Sequence, residues 1–161
     1  MSPDSRNSEG SVTALSVSRT KGHKKTNIPA GRFITGHGID GDAHAGDWHR
    51  QVSLLGTESI AKIQAAGIDV SPGDFAENVT TKGLCLYELP IGTRLQLGET
   101  VRLEVTQIGK TCHHRCQIFH QVGDCVMPRE GIFAQVVRGG DVRVGDAIRV
   151  LDTVSGIESG A

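Results

Sequence analysis

Hydrophobic and polar residues alternate along much of the chain, a pattern that is typical of strands with one buried face. The run "SVTALSVS", residues 11–18, predicts the first strand, and the apolar run at residues 52–55 predicts another. Between them the alternation is lost, and glycine, histidine and aspartate are crowded into "GHGIDGDAHAGDWHR". This stretch predicts a loop that carries polar side chains to the start of a strand.

One stretch, "TESIAKIQAAG", has the period of an amphipathic helix. Thr57 is the predicted N-cap, and Glu58 follows it in the first turn. Ile60 and Ile63 fall on one face, and Gly67 is typical of the residue that follows the end of a helix. The sequence therefore predicts a single short helix of about two to three turns.

Two segments in the second half of the chain resemble each other: "GTRLQLGETVRLEV" and "GGDVRVGDAIRVLD", residues 92–105 and 139–152. Each predicts two short strands, joined by a glycine and an acidic residue. The residues predicted to be buried are Leu95, Leu97, Val101 and Leu103 in the first segment, and Val142, Val144, Ile148 and Val150 in the second. Two explanations of this similarity remain open: the same structural unit occurs twice, or two hairpins are similar by coincidence.

About eight short strands and one helix predict a mainly β fold, a closed or nearly closed barrel, because closure leaves no sheet edge exposed. A chain of 161 residues has the length of one domain. We expect this domain to span residues 11–152, between a disordered N-terminus at residues 1–10 and a flexible tail at residues 153–161. The 21 glycines and the low aromatic content of 4% are typical of a turn-rich β protein.

The charge and hydropathy of the chain exclude several functional classes. A formal net charge of −1 argues against a general nucleic-acid-binding protein, so any anion site must be a local cluster of Arg and Lys. No apolar run approaches the roughly 18 residues of a membrane span, and the polar N-terminus has no apolar signal core. We therefore expect a soluble, cytoplasmic protein, in which the four cysteines act as thiols, metal ligands or catalytic groups.

The stretch "KTCHHRCQIFHQVGDCVMPREG", residues 110–131, contains three of the four cysteines. Cationic neighbours such as Lys110 favour the reactive thiolate form of Cys112. A zinc site made by Cys112, Cys116, Cys125 and a histidine is an alternative, although a second closely spaced cysteine pair is missing from the sequence. Plain packing of the thiols and a disulfide between Cys112 and Cys116 also remain open.

Further candidate residues lie in the loop before residue 52. The planar guanidinium of Arg50 suits a phosphate or an oxyanion. His44 is a second candidate site residue, and the alternative is a solvated or turn-bonding histidine. Asp42 and Asp47 are as well suited to closing the loop through Asx turns as to chemistry. The sequence does not decide the roles of Trp48 and His49.

Three other positions complete the set of candidates. In "FAENVT", Asn78 can both donate and accept hydrogen bonds, and its alternative role is to satisfy backbone groups at a bend. Arg129, in "MPREG", is expected to form a small cationic patch with Lys110 and Arg50. Cys85, in the alternating "GLCLYEL", is predicted to lie in the core.

Taken together, four segments resemble the MOSC domains, a family named for the C-terminal domain of molybdenum cofactor sulfurase. They are "GIDGDAHAGDWHRQVSLL", "GDFAENVTTKGL", "LPIGTRLQLGETVRLEVTQIGKTC" and "MPREGIFAQVVRGGDVRVGDAI", which occur in this order over residues 38–148. The chain is most similar to the small stand-alone bacterial members. The resemblance implies a barrel like the β-barrel of pyruvate kinase, with a cleft that holds a cysteine.

In this resemblance Cys112 corresponds to the cysteine of the family, although Thr111 stands where the family usually has proline. The implied role of Cys112 is that of a sulfur carrier, as a persulfide, or of a soft ligand to molybdenum. His44 and Arg50 resemble the family's recurring polar pair, and Asn78 its amide. The predicted cofactor-binding residues are thus His44, Arg50, Asn78, Lys110 and Arg129.

The implied cofactor is the molybdenum cofactor, molybdopterin, or a molybdate or tungstate oxyanion, with zinc as the alternative. The implied partners are a cysteine desulfurase or other sulfur donor, and proteins of cofactor biosynthesis or molybdoenzymes. Pyridoxal phosphate is not expected, because the chain lacks the aminotransferase-like domain of full sulfurases. Sulfur transfer, a zinc-stabilised binding module and, with redox partners, detoxification of N-hydroxylated compounds remain open as functions.

Overall fold

The computed structural model describes residues 9–20, 25–109 and 130–152. Over these residues the chain forms strands, the α-helix α1 (Thr57–Ala65) and a short 3-10 helix at Leu86–Glu88. The strands are β1 (Glu9–Val17), β2 (Thr26–Ile28), β3 (Ala30–Ile34), β4 (Gly38–Ile39), β5 (Val52–Gly56), β6 (Val79–Lys82), β7 (Arg94–Leu97), β8 (Val101–Ile108), β9 (Ile132–Arg138), β10 (Gly140–Arg143) and β11 (Ala147–Asp152).

The larger sheet closes on itself. Its order is β11-β7-β8-β9-β5-β6-β1-β2, and an additional pairing of β11 with β1 joins all of these strands except β2 into a ring. Neighbours in the ring are antiparallel, except for the parallel pair of β5 and β6. The predicted closed barrel is therefore confirmed, and closure gives each ring strand a partner on both sides.

The two similar segments fold differently. The first forms the predicted hairpin, in which β7 and β8 pair antiparallel. In the second, β10 pairs with β3 in a separate three-stranded sheet, whereas β11 pairs with β7 and β1. The turn between β10 and β11 explains the difference, because Gly145 donates to the carbonyl of Val12, and Val12 donates to that of Asp146. The prediction of a second hairpin is therefore wrong.

Most of the side chains predicted to be buried fill the interior of the barrel. Leu95, Leu97, Val101, Leu103, Val142 and Ile148 are 0% exposed, and Val150 packs against them from a half-buried position. Val144 is the exception, since it lies in the turn after β10 and is 44% exposed. Its predicted burial is wrong because the alternation of the strand ends one residue before it.

The helix α1 packs on the outside of the barrel wall. Ile60 and Ile63 are buried against Leu55 and Phe133, in a cluster separate from the barrel interior. The prediction of Thr57 as N-cap is wrong, because β5 runs directly into the helix and leaves Gly56 at that position, with no side-chain cap. Within the described residues, no helix is long and apolar enough to cross a membrane.

Candidate functional site

A buried ion pair fixes the loop that precedes β5. Asp42 accepts hydrogen bonds from the ammonium group of Lys25 (2.7 Å) and from the backbone N–H groups of Ser18 (3.0 Å) and His44 (3.1 Å). The bond to His44 is the Asx-type turn that was one of the two predicted roles of Asp42. Sequence reasoning missed Lys25, whose side chain is 1% exposed in this pair.

The charge of Asp42 is stabilised despite its burial. Desolvation acts to raise the pKa of this carboxyl group, but the hydrogen bonds from Lys25 and Ser18 and the charge of Lys25 together lower the pKa below its ordinary value. Asp42 is therefore ionised at neutral pH. Its negative charge compensates the buried ammonium group of Lys25.

His44 is held in place by contacts on several sides. Its Nδ1 atom lies 3.0 Å from Nζ of Lys25. Its ring is nearly parallel to that of Trp48, with the centroids 6.5 Å apart. The indole N–H of Trp48 donates to the carbonyl of His44 at 2.7 Å, which ties the two residues into one rigid turn. The His44 side chain is 24% exposed, so part of it faces solvent.

Arg50 carries the cationic group of this region. Its guanidinium carbon lies 5.1 Å from the ring centroid of Phe133 and 6.0 Å from that of Trp48. Its Nε atom donates to Oε1 of Gln107 at 2.9 Å. Among residues 9–20, 25–109 and 130–152, no carboxylate lies within ion-pair distance of Arg50. The guanidinium therefore retains a positive charge that an anion can neutralise.

Gln107 joins the loop to the barrel wall. Its Oε1 atom accepts from Arg50 and from Nε2 of His49 (2.9 Å), and its Nε2 atom donates to the carbonyl of Gly109 at 2.7 Å. The bond to Gly109 fixes the orientation of the amide, so His49 is the donor in its contact. We call His44, Trp48, His49, Arg50 and Gln107 the Arg50 cluster.

An irregularity in β8 positions Gln107. The pairing of β8 with β9 shifts register between Val105 and Gln107, as in a β-bulge. The intervening Thr106 donates its hydroxyl to the carbonyl of His49 at 2.6 Å. Gln107 pairs with Phe133, so both side chains lie on the outer face of the wall, where Arg50 covers them.

The described residues on either side of the predicted cysteine stretch lie beside this cluster. Ile108 pairs with Ile132, and the backbone N–H of Gly109 donates to the carbonyl of Gly131 at 2.6 Å, where β8 and β9 lead into residues 110–129. That segment lies outside the described residues. It contains the predicted site residues Lys110, Cys112, Cys116, Cys125 and Arg129, whose roles stay predictions.

Asn78 lies in the barrel wall and is fully buried. Its side chain accepts from the backbone N–H (3.0 Å) and hydroxyl (3.2 Å) of Ser53, and donates to the carbonyl of Ser16 at 3.1 Å. These bonds brace β1 against β5. These contacts agree with the alternative role of Asn78, which is to form hydrogen bonds with backbone groups. A contact between Asn78 and a cofactor stays a prediction.

The prediction that Cys85 lies in the core is wrong. It is half-buried and lines a cavity of about 310 Å³ beside the start of α1, together with Lys62, Tyr87 and Glu130. Burial raises the pKa of its thiol above the ordinary value, so it is protonated at neutral pH. Cys85 therefore lacks the thiolate character that a sulfur carrier requires.

The described residues contain no group of three or more His, Cys, Asp or Glu side chains that could hold a metal ion. The zinc alternative rests on Cys112, Cys116 and Cys125, which all lie within residues 110–129. It stays a prediction.

Comparison with known proteins gives one family. The family model of the MOSC domain matches residues 40–149, which is more than half of the chain. This range includes the whole Arg50 cluster and the cysteine stretch. A search of curated proteins finds no match.

Solved structures share the fold. The YuaD protein from Bacillus subtilis superimposes with a TM-score of 0.74 at 22% identity, covering 88% of this chain and 95% of its own. YiiM from Geobacillus stearothermophilus gives a TM-score of 0.66 at 17% identity, with 89% and 75% covered. YiiM from Escherichia coli gives 0.62 at 17% identity, with 89% and 71% covered.

Proposed function

Because this chain belongs to the MOSC domain family, whose function is related to the molybdenum cofactor, we propose that it binds this cofactor at the Arg50 cluster. A molybdate or tungstate oxyanion is the simplest ligand of the same chemistry. The observation that carries the proposal is the charge of Arg50, which no carboxylate of the described residues neutralises. The buried positive charge of Lys25, in contrast, is already balanced by Asp42.

The donors of the cluster suit the anionic part of such a ligand. A guanidinium group binds phosphate or an oxyanion through paired N–H donors, and Arg50 uses its Nε atom to fix its own orientation on Gln107. Trp48 is 39% exposed and offers an aromatic surface beside it. When bound, the cofactor supplies the metal that receives or releases sulfur. The chain's own residues bind and orient its phosphate or oxyanion.

Cys112 is the proposed sulfur carrier, or alternatively a soft ligand of the metal. In the sequence it follows Gly109 by three residues. Gly109 in turn contacts Gln107 of the Arg50 cluster. Along the chain, the cysteine stretch therefore follows directly on the residues that contact the proposed anion site.

The loading step needs a donor that carries a persulfide, such as a cysteine desulfurase. The thiolate of Cys112 attacks the outer sulfur of the donor persulfide, and the donor's S–S bond breaks. The donor leaves as a thiolate, and Cys112 becomes the persulfide, so the step needs no external oxidant or reductant. The proposed recipient is the cofactor on a biosynthetic protein or a molybdoenzyme.

The binding half of the proposal is tested by titrating the protein with molybdate and with isolated molybdopterin. Arg50→Ala should weaken binding by about tenfold or more, since a hydrogen bond to a charged group contributes about 1.5–3 kcal/mol. Arg138→Ala is the matched control, because Arg138 is exposed at the end of β9 and outside the cluster. Equal affinities of Arg50→Ala and wild type would overturn the proposed site.

The sulfur half is tested by mass spectrometry after incubation with a cysteine desulfurase and cysteine. One added sulfur is expected on the wild type and on Cys85→Ser, and none on Cys112→Ala. A wild type without the adduct, or an adduct that survives in Cys112→Ala, would remove the carrier role. One tightly bound zinc per chain that is lost in Cys116→Ala would assign the cysteines to a zinc site instead.

A further inference from the structure

A buried lysine beside the Arg50 cluster has no part in the contacts of Arg50. The side chain of Lys25 is 1% exposed, and its ammonium group contacts Oδ1 of Asp42 at 2.7 Å and Nδ1 of His44 at 3.0 Å. Burying an ammonium group costs several kcal/mol, which Asp42 offsets. Nδ1 of His44 gives a second of the three ammonium N–H groups an acceptor.

The chemistry of the two groups decides the direction of this hydrogen bond. An ammonium group has donors and no lone pair, so Nδ1 of His44 has to accept. A neutral imidazole has one N–H, which must then be on Nε2. Oδ2 of Asp42 is 3.8 Å from Nδ1, too far to take a proton from it by a hydrogen bond. A proton on Nδ1 would also point at the ammonium group.

We propose that Lys25 is a positioning residue that holds His44 as the neutral tautomer with its proton on Nε2. Nε2 of His44 then carries an N–H group and no lone pair, so this nitrogen is suited to a hydrogen-bond acceptor, such as an oxyanion, and not to a metal cation. The identity of the ligand rests on the proposed function. The assignment of the His44 tautomer does not depend on the proposed function.

The direct test is a long-range 1H–15N correlation spectrum of the protein labelled with 15N-histidine, without ligand and near neutral pH. The signal of His44 is identified by its loss in His44→Gln. A pyridine-type nitrogen at Nδ1 and a pyrrole-type nitrogen at Nε2 are expected. The reverse pattern, or a doubly protonated ring, would overturn the proposal.

The role of Lys25 is tested by the double variant Lys25→Met/Asp42→Asn, which removes both buried charges and leaves neither unpaired. Its His44 signals should shift toward a mixture of tautomers, and molybdate affinity should fall severalfold, whereas the exposed control Lys82→Met should leave both unchanged. Retention of the pure Nε2 tautomer in the double variant would overturn the role of Lys25.

Two further outcomes keep the tests separable. If the double variant does not fold, the wild-type spectrum alone decides the tautomer. If the wild type has the expected tautomer but binds neither molybdate nor molybdopterin, the tautomer assignment stands and the proposed function fails.

Discussion

At the scale of single residues, Asp42 links the stability of the fold to the site. Its carboxylate is buried, accepts from Lys25 and from two backbone N–H groups, and orders the loop that carries Arg50. Folding lowers its pKa. Its contribution to stability is therefore present above the unfolded pKa and is lost as the pH falls through the lower folded value.

We predict that Asp42→Asn lowers the free energy of unfolding at pH 7 by about 3–5 kcal/mol, because it leaves the ammonium group of Lys25 buried and unpaired. The wild type should lose stability as the pH falls below about 4, and the variant should lose less over the same range. Urea denaturation at a series of pH values measures both effects. The control is Asp141→Asn, whose exposed pair with Arg32 should contribute less than about 1 kcal/mol. Parallel pH profiles of Asp42→Asn and wild type would contradict the prediction.

A second residue-scale prediction concerns Asn78. Asn78→Ala should lower the free energy of unfolding by about 1–3 kcal/mol or more, since it leaves buried polar groups of Ser53 and Ser16 without their partner. Urea denaturation measures the loss of stability. Asn27→Ala is the milder control, because the hydrogen bonds of the Asn27 side-chain amide are partly exposed. Molybdate binding by the folded variant then separates the two roles of Asn78. Unchanged affinity would favour a structural role, in which Asn78 joins β1 to β5. Lost affinity would favour a contact between Asn78 and the cofactor.

At the scale of elements, the bulge in β8 connects the barrel wall with the loop that contains His49 and Arg50. The hydroxyl of Thr106 holds the carbonyl of His49, and the shifted register brings Gln107 beneath Arg50. Bulges often serve to redirect a side chain near a functional site. Here the extra residue lets one strand contribute both contacts.

Thr106→Val should therefore loosen the loop while leaving the barrel intact. The variant is nearly isosteric and removes the bond to His49, so the free energy of unfolding should fall by about 0.5–1.5 kcal/mol. Hydrogen exchange should accelerate at the backbone amides of residues 42–48 and stay unchanged within β7. The control, Thr13→Val, replaces an exposed threonine of β1. Uniform acceleration across the sheet would contradict a local role.

At the scale of the whole molecule, ring closure makes the barrel one cooperative unit. The strand β11 completes the ring, since it pairs with β7 along most of its length and with β1 through residues 147–149. Ile148 lies at this junction, opposite Gly10 and Leu97, and is fully buried. Opening this one junction would expose the interior of the whole barrel.

Ile148→Ala should accordingly lower the free energy of unfolding by about 2–5 kcal/mol. Unfolding should remain a single transition in which far-UV circular dichroism coincides with fluorescence of Trp48, the one tryptophan of the chain. Leu151→Ala, at an exposed position of the same strand, should cost less than about 1 kcal/mol. Separate midpoints for the two signals would show that the Arg50 cluster unfolds independently of the barrel.

How far the sequence predicted the molecule depends on whether a feature is local. Leu95 and Leu97 were recognised as buried because alternation directly reports which face of a strand is apolar. Val144 has the same pattern but lies in a turn, which the tertiary bonds of Gly145 and Val12 determine. Lys25 was missed because a lysine in a basic loop is usually solvated. The carboxylate of Asp42, 17 residues away, compensates the charge of the buried ammonium group.

The sequence by itself determined the barrel class, the helix, the loop that holds His44 and Arg50, and the resemblance to the MOSC family. All of these follow from patterns within short segments and from their order along the chain. Only the tertiary structure decided that β11 pairs with β1, that Gln107 meets Arg50 across 57 residues, and that Lys25 contacts His44. Alternation specifies which side chains turn inward. The partner of each strand, however, depends on the closed ring as a whole, in which the backbone N–H and C=O groups need hydrogen bonds and each buried charge needs a compensating partner.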